Sequence, residues 1–216
     1  MHVRRLQMNP GLVRRIASCN LGVALVEAAF AFPVLLLMII GGLELTQLAM
    51  TQMRLSQIAI AVADNAGRVR TAIDESNIRE VFSGANLVGS SIDFEENGRI
   101  VLSSLEPNGK EGPDEGQMIN WQRCFGKLDI ASRYGEQGDG ADDASLADGL
   151  GSDGKTIKSA ENTAVMFVEV TYNYKPLVSG IPGWSQQTIR YESAFNVRER
   201  TNQDITNVQN LSVSTC

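Results

Sequence analysis

Histidine is almost missing from this chain: in 216 residues there is one, His2. That removes the usual neutral-pH proton shuttle and the commonest nitrogen ligand for a metal from everything downstream of the first few positions. Cysteine is nearly as scarce, and Cys19, Cys124 and Cys216 include no CxxC pair of the kind that binds zinc or shuttles electrons. Carboxylates are plentiful, but no recognisable spacing pairs them for acid/base work. With 19 Lys and Arg against 25 Asp and Glu, the net charge is −6, which argues against nucleic acid as a partner. The chain is therefore expected not to be an enzyme and to need no cofactor. The last absence is local: no charged residue falls between Ala28 and Leu43.

That uncharged run of sixteen residues rises roughly 24 Å as a helix at about 1.5 Å per residue. Continued through Thr46 and Gln47 to Met50, it becomes long enough to cross a bilayer core of about 30 Å. Residues 1–22 carry Arg4, Arg5, Arg14 and Arg15 and no acid, so they form a leader that the positive-inside rule keeps in the cytoplasm, with the rest exported. The apolar stretch is too long for the core of an ordinary cleaved signal peptide. Beyond Met53 the pattern becomes striped. Leu55, Ile58, Val62, Ala66, Val69 and Ile73 recur every three or four residues among Arg54, Asp64, Arg68 and Arg70, which predicts an amphipathic continuation of the same helix over 54–75. Pro33 removes one backbone hydrogen bond and marks a kink, and Gly41-Gly42 is a second soft point. Glu44 is expected at the opposite interface, solvated.

The residue that stands out is Glu27, an ionisable group at the edge of hydrocarbon and a functional candidate by default. Gly22, four apolar residues and then Glu27 resemble the processing signature of type IV prepilins. With Val26-Glu27, the apolar run and Pro33 six residues after the glutamate, the string is similar to the TadE-like pseudopilins of tight-adherence pilus systems. The likeness is strongest over Gly22 to Arg54. A second patch, Asn120-Trp121-Gln122-Arg123-Cys124 with Tyr134-Gly135, also looks similar to that family. The chain departs from the family pattern at Ala28, where an aromatic residue usually follows the glutamate; Phe30 comes two positions later.

The resemblance implies several expectations. A membrane aspartyl peptidase would cut after Gly22 on the cytoplasmic side, making Val23 the mature N-terminus and leaving the span, 23–53, in place. Glu27 would meet the freed amine at Val23 of a neighbouring subunit. Loss of the leader would also remove His2 and Cys19 and make the net charge four units more negative. Partners would be other pilin or pseudopilin subunits, the inner-membrane assembly platform, the prepilin peptidase and membrane lipid, with no nucleotide and no nucleic acid. The fold implied is α+β and type IV pilin-like, with a long N-terminal helix laid against an antiparallel sheet.

The exported head, 76–216, is long enough for one compact domain. In an oxidising compartment Cys124 and Cys216 read as one disulfide, with two unrelated thiols as the alternative. Ser76 is expected to cap a short helix over 77–82, and Asn97-Gly98 to turn a hairpin between 92–94 and 99–105. Residues 118–125, 164–174 and 188–197 are β-branched and aromatic enough for strands. Residues 106–116 read as a polar loop. From Gly135 to Lys155 acids and glycines dominate, predicting an exposed, mobile loop.

Within that loop, Gly149, Gly151, Gly154, Lys155 and Thr156 satisfy both GxxxxGK[ST] and GxGxxG. Each pattern needs a buried strand before it and a helix after it, and the preceding GADDASLAD cannot form that strand. Asp153 would also put a carboxylate inside the cradle. Calcium coordination by the acidic loop is conceivable chemically, but the spacing is not that of an EF-hand. The preferred reading is a structural minor pilin or pseudopilin acting in pilus assembly for surface attachment. The alternative is a single-pass, membrane-anchored periplasmic binding or sensory domain that never polymerises.

Overall fold

The computed structural model describes residues 21–152, 154–178 and 185–216. Residues 1–20 of the basic leader, with Cys19, and Asp153 of the glycine-rich pattern lie outside the described residues. The chain divides into two units, 1–46 and 47–216.

Helix α1, Leu21–Gly67, runs without interruption through Pro33 and Gly41-Gly42. From Gly22 to Ile39 every residue is exposed, the large apolar side chains included. Glu44, expected to be solvated, is instead 6% exposed. The residues of α1 in the second unit behave oppositely. Leu55, Ile58, Ala59, Val62, Ala63 and Ala66 are all buried, as their three-and-four spacing requires of a core-facing stripe. The helix ends at Gly67 rather than continuing to residue 75. There Gly67 packs against the chain at Asn196, where a Cβ on Gly67 would lie 3.4 Å from Asn196 O, and Gly67 O accepts from Arg198 N–H.

A two-residue strand β1, Ile73–Asp74, leads into helix α2, Glu75–Gly89. The cap is Asp74, not Ser76: its carboxylate accepts from Ser76 N–H while Asn77 Oδ1 accepts from Asp74 N–H, a reciprocal capping box. The helix is more than twice the expected length because Ile78, Phe82 and Ala85 continue the buried stripe past Gly84. Asn97-Gly98 does not turn a hairpin either. A short 3-10 turn and helix α3, Phe94–Asn97, precede strand β2, Gly98–Pro107. Phe94 is fully buried, and a Cβ on Gly98 would sit 2.5 Å from its ring, so this glycine serves close approach rather than turn geometry.

Strands β3, Gln117–Phe125, β4, Val165–Tyr174, and β5, Gln187–Asn196, complete an antiparallel sheet in the order β3-β2-β4-β5. One face, with Ile100, Leu102, Trp121, Met166, Val168 and Val170, packs in one core with the buried residues of α1 and α2. The other face, with Leu105, Ile119, Val165 and Phe167, is covered by Leu150, Leu146 and Tyr134. The acidic segment 135–155 is thus packed, not merely exposed. Tyr134 meets the Phe167 ring edge-on, Asn108 Nδ2 donates to Gly140 O and Asp143 O, and Leu150 and Ile157 exchange both backbone bonds. The last of these pairings shows what the glycines around 149–154 do: they close a small loop through Gly149, at φ 79°, and Gly151, at φ 138°. Beyond β5 the tail adds β6, Ile205–Thr206, parallel to β1.

Candidate functional site

Two groups of residues carried functional expectations, and they lie in different units. The first is Gly22, Val23, Glu27 and Pro33. A helix places Glu27 and the surrounding Val23, Phe30 and Val34 on turns of one surface, and all of them are exposed. Among the described residues Glu27 has no hydrogen bond and no ion pair. Ala28, Ala29 and Ala31 open a shallow apolar concavity between Leu25, Phe32 and Leu35. Side chains of this size in water cost about 25 cal/mol per Å² of apolar surface left unburied. Their burial must come from outside this unit. By length and composition α1 is a candidate membrane anchor.

The second group is Asn120 to Cys124, in which sequence reasoning expected a disulfide from Cys124 to Cys216 and saw similarity without a role at the other four residues. Each of the five residues fastens another part of the chain to β3. A register shift between Ser104 and Leu105 leaves Asn120 unpaired in the ladder, turning Ile119 to the outer face and Trp121 to the inner one. Asn120 Nδ2 then donates to Glu106 Oε1 and to Asp204 Oδ1. Trp121 Nε1–H donates to Gln203 O, anchoring the tail. Gln122 Nε2 bonds Ser103 Oγ and Gly135 O, tying down the start of the acidic loop. Arg123 holds the N-terminus of α2 through Glu75, at 2.6 and 2.7 Å, with both side chains buried. Cys124 is joined to Cys216 by a disulfide, and its N–H donates to Ser214 O.

Two further carboxylates sit in the sheet. Glu106 beside the Asn120 bulge has its pKa pushed up, chiefly by burial, with the Ser104 and Asn120 hydrogen bonds opposing the rise. Glu169 on β4 accepts from Ser132 Oγ–H and Arg133 N–H, and burial again pushes its pKa up. Asp74 is the reverse case: the Ser76 and Val208 backbone N–H groups lower it to about 2. These are groups that hold elements in place, and sequence reasoning had no periodic signal by which to find them.

An exposed apolar helix, joined in sequence to an α+β head with a four-stranded antiparallel sheet, is consistent with a pilin-like fold. Residues 22–64 match the family model described as TadE-like protein. The match spans the Gly22, Glu27 and Pro33 signature and runs on into the buried half of α1, leaving the rest of the head outside it. No curated protein and no solved structure matches the chain.

Proposed function

We propose that this protein is a structural minor pilin or pseudopilin that takes part in assembling a tight-adherence pilus, at its priming, tip or base, rather than catalysing a reaction. The observation that carries the reading is the first unit: a helix exposing Val23 to Ile39 on all sides, with Glu27 unpaired among the described residues. A lipid bilayer, and then the apolar helices of other subunits, would bury that surface.

In this reading the leader stays cytoplasmic, the head is periplasmic, and a prepilin peptidase cuts between Gly22 and Val23. The freed amine at Val23 of one subunit then faces Glu27 of another. In a low-dielectric setting an unpaired carboxylate is strongly disfavoured, so such a pair selects register between subunits more than it adds net stability. Pro33 lies about one and two-thirds turns further on, where the missing backbone bond loosens the helix beside the contact. The disulfide and the Asn120 to Cys124 clasp make a head that stays folded outside the cell.

The test is the mass and N-terminal sequence of the protein isolated from membranes. A chain beginning at Val23 is expected. A chain that keeps Met1 and the four leader arginines would instead support the anchored binding or sensory domain that does not polymerise.

A further inference from the structure

The four-stranded sheet has two edges, and among the described residues the chain finishes only one of them. Along β3 the outward backbone groups are taken up. Ile119 N–H donates to Asp139 O, Gly138 N–H donates to Ile119 O, and Cys124 N–H donates to Ser214 O. Along β5 no backbone hydrogen bond leads outward from the sheet among the described residues. Edge strands are commonly protected by proline, charged side chains (lysine above all), bulges or short length. β5 has no proline, lysine or bulge, and its charges are Arg190 and Glu192, one of each sign; it is ten residues long, QTIRYESAFN, and its register with β4 is unbroken from Gln187 opposite Tyr174 to Asn196 opposite Val165. Ile189, Tyr191 and Phe195 share its helix-side face and are only partly buried there.

The strand's own sequence says what fits this edge. Arg190 and Glu192 flank Tyr191, and both are exposed on the opposite face from it. An antiparallel partner centred on Tyr191 sets residue 191 opposite itself, Arg190 of each copy opposite Glu192 of the other, and Ile189 opposite Ser193. Opposite charges facing each other across a strand pair are favourable and like charges are not. Parallel pairing in register would set Arg190 against Arg190 and Glu192 against Glu192. Glu192 already accepts from Tyr134 O–H and Ser152 Oγ–H. An ionised carboxylate with about four acceptor positions has room for an arginine as well.

We propose that β5 is a self-pairing edge, through which two copies of this chain join antiparallel about Tyr191 into one continuous sheet across a two-fold axis. The interface is isologous, so one surface serves both copies. It draws on the head alone, and its failure would leave the pilus reading standing, because neither cleavage after Gly22 nor Glu27 enters it.

The experiment uses the full-length protein in detergent micelles, with Cys19→Ser to remove the leader thiol and mild oxidation to cross-link. Tyr191→Cys is expected to give a covalent dimer about tenfold more efficiently than Gln187→Cys, whose partner in this register is Phe195. Added to Tyr191→Cys, either Arg190→Glu or Glu192→Arg should lose the dimer, while head folding by tryptophan fluorescence is unchanged. Mixing the two charge variants should restore it, because each then supplies the charge the other lacks. Equal cross-linking at 187 and 191 would overturn the proposal. So would a dimer that survives in the single charge variants, or one that fails to return in the mixture.

Discussion

One helix contains two opposite surfaces. Between residues 22 and 39 its valines, leucines and phenylalanines are exposed on every side, and between 55 and 66 a narrow stripe of similar residues is fully buried. The chemistry of the side chains hardly differs between the two stretches; the pattern does. An all-round apolar helix has no solvated face and needs a surrounding that is apolar everywhere, such as lipid or a bundle of like helices. A striped one needs a single partner, here the face of the sheet carrying Ile100, Trp121 and Val168. A substitution in one stretch should therefore be read by a different assay from a substitution in the other.

The largest expected effect belongs to the head and not to the apolar stretch. Removing the disulfide with Cys124→Ser releases a tail closed over a separation of 92 residues. In the chain-entropy account this costs up to about 4–5 kcal/mol. Urea unfolding of the detergent-solubilised protein, followed by tryptophan fluorescence, should show the loss, while retention in the membrane fraction should not change.

Paired truncations sharpen the contrast. Leu55→Ala empties a fully buried position and is expected to lower head stability by about 2–5 kcal/mol, as other buried leucine truncations do. Leu36→Ala, at an exposed position, should leave the same urea midpoint within about 0.5 kcal/mol. Equal effects would erase the distinction between the two stretches.

A smaller effect concerns pH. Glu106 and Glu169 have raised pKa values, so the folded head holds their protons more tightly than the unfolded chain does. Their contribution to stability is present below the ordinary carboxylate range and is lost as pH rises through the raised values. Asp74 has the opposite sign. Its cap contributes fully above the unfolded value of 3.8 and is lost as pH falls toward about 2. Urea midpoints should therefore rise modestly from pH 7.5 to mildly acidic conditions, then fall below pH 3. The Asp74→Asn variant should flatten the acid limb.

Much of this architecture was legible because it repeats. The uncharged run, the stripe from Leu55 to Ala66, and the β-branched and aromatic segments that became β3, β4 and β5 all announce themselves by period. What stayed hidden depends on single side chains. Asn97-Gly98 looked like a turn because its composition is that of a turn, yet Gly98 is required by the Phe94 ring beside it. Ser76 looked like a helix cap, and the carboxylate two residues earlier performs that role. The acidic segment looked unable to pack because its large apolar side chains are only Leu146 and Leu150, and with Tyr134 just before it these suffice when a sheet face with Phe167 and Ile119 is waiting. In the site, Gly22, Glu27 and Pro33 stood out by spacing and the Cys124–Cys216 bond was legible from the cysteine count, whereas the roles of Asn120 to Arg123 depend on partners up to 84 residues away.

The central claim, that the exposed stretch is an assembly surface selected by its one carboxylate, is tested most directly by counting pili on cells carrying Glu27→Ala at normal protein levels. The account predicts that pili are lost while the protein remains membrane-bound with its head folded. Piliation equal to that of the unaltered chain would contradict it.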